Sequence, residues 1–378
     1  EEATKELPMI VGEIPILSKA YYSKINFNET WLTPPLGSGP YRIKEVNPGD
    51  SITYERLKNW WAKDLPLFKG RYNFDEIVYK YYRDAGIIFE AFKAGDHDFR
   101  REHKAQNWAL GYTFEAALKG DVKRLDLPHS RVEAMQAFIF NTRRFLFKDP
   151  SVRKALALAF NFEWANKNLF YGAYHRTLSF FDNSPLASRG LPTGQELEIL
   201  MDYKGQLPEN IFTEAFSLPM YKNQQDLRRT LAKSKALLEK AGWDVVDGVL
   251  THLETGTPFV FEILLFDATM EKVIQNFARN LEYLGIKASP RRVDSNQYAR
   301  RFEHFDYDMI ISFFPQIPSP GTEQLNYWGS KSADAPGSYN LAGIKDPAID
   351  QLIEKLINAP TREEIVVCTK ALDRVLLK

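Results

Sequence analysis

The chain has 378 residues, with 49 basic and 49 acidic side chains and therefore no formal net charge. Nucleic acids and anionic membranes attract proteins with a basic excess, so the balanced charge argues against both as partners. No stretch approaches the roughly 20 apolar residues that span a bilayer, so we expect a chain that does not itself cross a membrane. The length favours two domains, at roughly 100–200 residues each.

The first third of the chain predicts a mixed region of strands and helices. Residues 1–36 read as irregular apart from a short helix near Lys19–Lys24. Turn residues at 48–50 join two apolar runs into a predicted hairpin. Strands are predicted at 41–46, 51–57 and 77–82, and a helix at 87–94.

The middle of the chain begins with a predicted apolar strand at Ala134–Asn141. Asp149 and Pro150 then open a long helix, because Asp suits the N-cap and Pro suits the first helical position. Residues 171–224 show no clear periodicity, which predicts a long surface excursion. After it come a helix at 226–241 and a hairpin centred on Asp247-Gly248.

The clearest pattern lies between residues 259 and 316, where strand, helix, strand, short helix and strand follow in turn. Short links between these elements predict a parallel α/β unit. Parallel sheets of this kind bind ligands beyond the carboxyl ends of their strands. The residues just past those ends are Asp267, Asp294 and Pro315–Gln316, so a ligand is expected there. A loop at 315–346 and two final helices complete the chain.

Motifs for catalysis or metal binding are missing from the sequence. It contains no phosphate-binding glycine loop, no nucleophile elbow and no pair of histidines at helical spacing. We therefore predict no catalytic residues, no metal ligands and no cofactor. The single cysteine, Cys368, lies in an apolar helical pattern, which favours a buried thiol over a nucleophile.

The chain resembles the periplasmic solute-binding proteins of peptide ABC transporters, in the large family 5 (oligopeptide-binding) class. Its YejA-like branch is linked to oligopeptide and microcin C uptake. The resemblance covers nearly the whole chain and is carried by the following stretches: Pro35–Ile43, Trp61–Asp75, Tyr82–Arg100, Ala105–Trp108, Met135–Arg144, Asp149–Tyr174 and Asp306–Ser330.

This resemblance implies an α/β fold of the periplasmic binding protein type (class II, cluster C), with a ligand cleft between two lobes. Residues 1–137 would form part of lobe one, and residues 138–378 would form most of lobe two. Family members begin before Glu1 and continue past Lys378, so the chain is expected to lack N- and C-terminal segments.

The resemblance also implies a function and a ligand site. The chain would capture oligopeptides in the periplasm and deliver them to an inner-membrane ABC permease, without catalysis. Motif position and strand-end geometry nominate seven ligand-binding residues: Gln136, Asn141, Gln316 and Gln324 as polar contacts, and Trp108, Phe314 and Trp328 as apolar walls. Because Phe313 and Phe314 are neighbours on a strand, they should face opposite sides of the sheet.

Gln316 stands where well-known oligopeptide binders carry an aspartate that pairs with the ammonium group of the peptide. The loss of this charge suggests ligands with a blocked, for example formylated, N-terminus. Two other functions stay open at this point. One is a two-lobed α/β hydrolase that uses a carboxylate pair, and the other is a truncated interaction module that no longer serves transport.

Overall fold

The computed structural model describes residues 7–29, 33–82 and 85–378. Residues 1–6 and 30–32 of the predicted irregular segment lie outside this described part. By its contacts the chain forms two compact units, Glu1–Glu102 with Thr113–Val122, and His103–Tyr112 with Lys123–Lys378. The predicted boundary between residues 137 and 138 concerns the lobes of the family fold, and it stays a prediction.

The smaller unit combines short helices with an antiparallel sheet. Its described residues form α1 (Leu7–Glu13), α2 (Lys19–Tyr22), β1 (Tyr41–Asn47), β2 (Ser51–Arg56), β3 (Glu76–Lys80), α3 (Ala85–Lys93) and α4 (Glu115–Lys119). The strands lie in the order β1-β2-β3, and β2 is antiparallel to both neighbours, so the predicted hairpin is confirmed. The irregular structure predicted for Leu7–Glu13 was wrong, since these residues form α1.

The larger unit contains a four-stranded sheet, a two-stranded hairpin and most of the helices. After a π-helix at Asn107–Gly111, its elements are β4 (Met135–Phe140), α5 (Pro150–Ala157), α6 (Phe162–Asn168), α7 (Gly194–Met201), α8 (Asn210–Thr213), α9 (Gln224–Lys240), β5 (Trp243–Val246), β6 (Val249–His252), β7 (Val260–Leu265), α10 (Glu271–Glu282), β8 (Lys287–Arg292), α11 (Ser295–Glu303), β9 (Met309–Phe314), α12 (Glu323–Trp328), α13 (Pro347–Asn358) and α14 (Arg362–Leu376).

The four-stranded sheet has the order β4-β9-β7-β8. Strand β7 is parallel to both β8 and β9, whereas β4 pairs with β9 in the antiparallel direction. The parallel strand–helix–strand unit predicted from the sequence is therefore confirmed. Asp294 caps α11, because its carboxylate accepts the N–H groups of Asn296 and Gln297, each at 3.0 Å.

Apolar layers cover both faces of this sheet, as expected for parallel strands. Ile263 and Met309 project into a layer that includes α5, α9 and α10, while Leu264 and Ile310 project into the opposite layer with α7, α13 and α14. Neighbouring residues of one strand thus serve opposite layers, because side chains alternate along a strand. The helices thus hold the sheet between two apolar layers.

Two predictions for the middle of the chain were wrong. The long helix expected after Asp149 is broken after Ala157, and a second helix, α6, starts behind Asn161, whose side chain accepts the N–H of Trp164 at 2.9 Å. The segment 171–224 is more than a surface excursion, because it contains α7 and α8. Its side chains Phe181, Leu186 and Ile211 are fully buried. Their spacing follows no single period, so the sequence pattern did not indicate that they are buried.

Candidate functional site

The sheet topology points to a crevice at the carboxyl ends of β7 and β9. After β7 the chain enters α10, which packs on one face of the sheet, and after β9 it reaches α12, whose Trp328 packs on the other face. Neighbouring parallel strands whose continuations leave to opposite faces open a ligand crevice at their ends. The segments that begin there start at Asp267 and at Gln316, the positions predicted from the sequence.

A chain of side-chain hydrogen bonds lies directly behind the end of β9. The indole Nε1 of Trp328 donates to Gln324 Oε1 at 2.9 Å. Gln324 Nε2 in turn donates to Gln316 Oε1 at 2.7 Å and to Glu323 Oε1 at 2.9 Å. Gln324 is 0% exposed, so its amide is held wholly by these protein groups. We call Trp328, Gln324 and Gln316 the amide relay.

The relay ends in a donor that has no partner. Gln316 Nε2 is buried and makes no hydrogen bond within the part of the chain that the structure describes. A buried donor without an acceptor costs about 1–3 kcal/mol. Gln316 as a residue is half-buried, and its neighbours Pro315 and Ile317 are exposed, so this donor lies close beneath the surface. An unpaired group in that position is suited to a ligand acceptor.

Two predicted wall residues, Phe314 and Trp328, pack against each other behind the relay. Their ring centroids are 4.5 Å apart, and each residue is only 2% exposed. Phe180 completes the cluster at 4.8 Å from the Trp328 ring. Phe313 is 54% exposed, so the prediction that Phe313 and Phe314 face opposite ways is confirmed. Both rings belong to the core in this structure. A direct ligand contact by Phe314 or Trp328 stays a prediction.

Asn141 and Gln136 lie on or beside β4, in different environments. Asn141 is 1% exposed, and its Nδ2 donates to the backbone carbonyls of Phe305 at 3.0 Å and Tyr307 at 2.8 Å. Its Oδ1 accepts from Arg143, so its amide is fully used in joining β4 to the loop before β9. Gln136 is exposed and pairs in register with Phe313, next to the end of β9.

Trp108 belongs to a separate cluster on the π-helix. The Arg124 guanidinium lies over its ring at 5.3 Å and over the Tyr112 ring at 5.7 Å. Arg124 also donates to the Trp108 carbonyl oxygen. The structure thus brings Gln316, Gln324, Trp328 and Phe314 together, and it places Trp108 and Asn141 in other surroundings.

Glu323 is the member of the site that the sequence analysis did not nominate. Its carboxylate accepts the backbone N–H of Gly321 at 3.0 Å as well as Gln324 Nε2. A loop was predicted over 315–346, and α12 inside it places Gln324 and Trp328 four residues apart on one helical face. The loop predicted for residues 323–328 was therefore wrong, and a helix predicted there would have placed the two nominated residues together beside the Glu323 carboxylate.

A second concave region lies beside Asn141, away from the relay. A cavity of about 280 Å³ is lined by Asn141, Arg143, Arg144, His304, Phe305 and Asp334. Arg143 in this cavity stacks on Phe305 at 3.9 Å and donates to Asn340 O at 2.8 Å. Its guanidinium is therefore engaged in contacts that stabilise the fold. Within the described ranges, no group of three or more His, Cys, Asp or Glu side chains could hold a metal ion. The same ranges contain no helix that is long and apolar enough to cross a bilayer.

Comparison with known proteins assigns the chain to a family. Residues 1–336 match the bacterial extracellular solute-binding proteins, family 5, middle region. The chain is 42% identical to a probable peptide-binding protein YejA of Agrobacterium fabrum over 386 aligned residues, covering all of this chain and 63% of that protein. It is 37% identical to the uncharacterised protein YejA of Escherichia coli, covering 98% of this chain and 61% of that protein.

A solved structure shares the fold. The oligopeptide-binding protein AppA of Bacillus subtilis, solved with a nonapeptide, matches with a TM-score of 0.65 at 20% identity, over 98% of this chain and 63% of that one. The expected α/β fold of the periplasmic binding protein type is thereby confirmed. The chain spans less than two thirds of the length of these relatives. It belongs to family 5 of the bacterial extracellular solute-binding proteins.

Proposed function

We propose that this chain is the peptide-capturing part of an ABC transporter's solute-binding protein, which works in the periplasm and delivers oligopeptides to an inner-membrane permease. The observation that carries the proposal is the buried Gln316 Nε2 beyond the carboxyl end of β9, which has no hydrogen-bond partner among the described residues. A polar group held in place beside a strand-end crevice suits reversible binding through hydrogen bonds. The family and its named peptide-binding relatives favour a peptide as the solute.

Binding without catalysis fits the chemistry of this site. The relay consists of two amides and an indole, none of which acts as a nucleophile or transfers a proton near neutral pH. Glu323 adds a single carboxylate that is bonded to Gly321 and Gln324, whereas the hydrolase would need a pair. Peptide backbones offer regularly spaced donors and acceptors, so main-chain hydrogen bonds give affinity with little dependence on sequence. We propose the non-enzymatic role over the hydrolase for this reason.

The finer proposal concerns the end of the peptide. Gln316 carries no charge, so the site lacks an ion pair for a free ammonium group at this position. Peptides with a blocked N-terminus, among them formylated compounds of the microcin C type, are therefore the proposed ligands. The other residues nominated from the sequence remain proposed contacts, to be tested one by one: Gln136, Asn141, Gln324, Trp108, Phe314 and Trp328.

Native mass spectrometry of the 378-residue chain is the direct test. We expect peptides to co-purify with it, and titration calorimetry with a short-peptide mixture to give saturable binding. Peptides recovered after long incubation should have unchanged masses, whereas cleavage would support the hydrolase instead. The absence of any peptide binding would overturn the proposal and favour the interaction module.

A further inference from the structure

A cavity outside the crevice lies between helix α6 and the turn that follows it. Its volume is about 490 Å³. Two aromatic rings, two charged side chains, an amide and a glycine line it: Phe162, Tyr171, Glu163, Lys167, Asn166 and Gly172. None of these residues belongs to the amide relay. Small-molecule sites usually measure roughly 300–1,000 Å³ and combine apolar walls with a few polar groups, so this cavity has the size and composition of a ligand site.

One wall of the cavity is a face of α6. Phe162 and Asn166 are four residues apart on this helix, as are Glu163 and Lys167, so each pair lies on the same side of the helix. Phe162 is half-buried, whereas Lys167 is exposed. The face therefore offers the cavity an aromatic ring beside an ammonium group.

The other wall is a turn with a strained backbone. Tyr171 has a φ of +55°, in the left-handed region that a bulky side chain rarely adopts. Asn166 holds the turn, because its Oδ1 accepts the Tyr174 N–H at 3.1 Å and its Nδ2 donates to the Tyr174 carbonyl at 2.8 Å. Strain of this kind persists where the surrounding contacts enforce it, and it is common at ligand sites. Here it places the 41% exposed Tyr171 at the cavity.

The charge of the cavity comes from Lys167, because its usual helical partner is engaged elsewhere. Glutamate and lysine four residues apart on a helix attract each other, as Lys235 and Glu239 do on α9 at 3.5 Å. Glu163 instead accepts the backbone N–H of Tyr221 at 3.2 Å. Among the described residues, Lys167 Nζ therefore has no ion-pair partner.

Arg176 compensates the charge of Glu163. Its guanidinium lies over the Phe162 ring at 5.9 Å and donates to the Pro219 carbonyl at 2.8 Å. Burial lowers the pKa of Arg176, and the nearby Glu163 carboxylate opposes this shift. The negative charge at the cavity is thus offset by a buried cation, and the ammonium group of Lys167 is not offset.

This arrangement determines the class of ligand. One uncompensated ammonium group attracts a monoanion, and two aromatic rings favour an aromatic body. A cationic ligand would be repelled by Lys167 and Arg176. We propose that the cavity is a second ligand site, which takes a small aromatic carboxylate. The carboxylate pairs with Lys167, and the ring of the ligand packs on Phe162 and Tyr171. The inference does not depend on the proposed peptide function, since the two sites share no residue.

Three probes of similar shape and different charge test the inference: phenylacetate, phenylacetamide and phenethylamine. Ligand-observed NMR titrations of the 378-residue chain give their dissociation constants. We expect phenylacetate to bind about two- to fivefold more tightly than phenylacetamide, the worth of one partly exposed ion pair. Phenethylamine should bind most weakly. The inference is overturned if phenylacetate shows no saturable binding, or if phenethylamine binds most tightly, which would point to Glu163.

Lys167→Met tests the charge, because it keeps a side chain of similar length and removes the ammonium group. Phenylacetate and phenylacetamide should then bind equally. Lys233→Met makes the same change at an exposed lysine on α9, and its preference should match that of the parent chain. A preference that survives in Lys167→Met would contradict the proposal.

Tyr171→Asn tests the ring, because asparagine tolerates the left-handed backbone. Both probes should bind about two- to tenfold more weakly, the worth of one aromatic contact. Tyr283→Asn, at a residue that is 69% exposed, should change neither affinity. A thermal melt checks that Tyr171→Asn folds, and if it does not, Lys167→Met decides alone. Unchanged affinities in folded Tyr171→Asn would contradict the assignment of the site to this cavity.

Gln316→Ala separates the two sites. Phenylacetate should bind to this variant as it binds to the parent chain, because Gln316 does not line the cavity. A loss of phenylacetate binding would show that the probe occupies the crevice, which overturns the inference and leaves the proposed function standing. Phenylacetate binding by a chain that captures no peptide would support the inference, and only the proposed function would fail.

Discussion

Asp373 on α14 accepts both the backbone N–H and the hydroxyl of Ser188, at 2.8 and 2.7 Å. The same carboxylate accepts the Ser179 hydroxyl and the Phe180 N–H, each at 2.8 Å. Asp373 is 0% exposed, so these bonds replace its contact with water. One side chain of the last helix thus holds the segment 179–188, which also supplies Phe180 to the cluster behind the relay.

Replacing Asp373 should loosen this attachment. In Asp373→Asn an NH₂ group faces at least one of these donors, so we expect a loss of about 1–3 kcal/mol in the free energy of unfolding. Burial raises the pKa of the Asp373 carboxyl, because desolvation opposes its charged form, and this limits the loss. Urea denaturation measures it. Glu363→Gln, exposed on the same helix, should change the free energy by less than about 0.5 kcal/mol. Equal effects of the two variants would contradict this role.

Tyr221 predicts a specific sensitivity to alkaline pH. The residue is 4% exposed, its hydroxyl donates to Leu158 O, and burial raises its pKa from 10.0 to about 12. Between these values the unfolded chain has lost the phenolic proton and the folded chain has kept it. The contribution of Tyr221 to the free energy of unfolding is therefore complete below pH 10 and is lost as the pH rises toward 12.

Urea titrations at about pH 9 and pH 11 check this expectation. The parent chain should lose about 1 kcal/mol more than Tyr221→Phe between the two conditions, because phenylalanine cannot ionise. Tyr283→Phe, at a residue that is 69% exposed, should behave like the parent chain. The same pH response in Tyr221→Phe and in the parent chain would refute the assignment.

Asn141 is expected to act through stability. Asn141→Asp places a carboxylate against the carbonyl oxygens of Phe305 and Tyr307, so we expect a loss of about 3 kcal/mol or more. Asn296→Asp is the control, because Asn296 is exposed on α11. Thermal denaturation of both variants gives the comparison. Unchanged stability with weakened peptide binding would instead support the ligand contact proposed for Asn141 from the sequence.

Alanine substitutions at Gly285 and Gly248 distinguish the cost of backbone strain from the cost of a steric clash. Both have a left-handed backbone, with φ of +78° and +80°, but an added Cβ at Gly285 would lie 2.9 Å from Leu250 N, and one at Gly248 would meet nothing within 4 Å. Gly248→Ala should cost about 1–2 kcal/mol from the backbone alone. Gly285→Ala should cost about 1–3 kcal/mol more, since a backbone atom cannot move aside easily. Equal losses in urea denaturation would show that the neighbouring strand yields.

Local signals in the sequence were enough for the parallel α/β unit. The apolar run at β7, the helical face of α10 and the glycine after it, Gly285, each depend on residues close together in the chain. Asp294 caps α11 by accepting the backbone N–H groups two and three residues further along. The position of Gln316 past the end of β9 follows from the same pattern. Segment 171–224 gave no such signal, because its side chains are buried by packing against helices that are distant in the sequence.

The sequence by itself determined the α/β unit, the edge of the sheet where a ligand is expected, and the uncharged residue at that edge. These features depend on periodicity, turn residues and the order of the elements, which are all local properties of the sequence. Only the tertiary structure decided which way the Gln316 amide faces. That orientation comes from a helix that starts seven residues later, where a donor-only indole and a carboxylate fix Gln324. The Gln316 NH₂ group is left without an acceptor among the described residues.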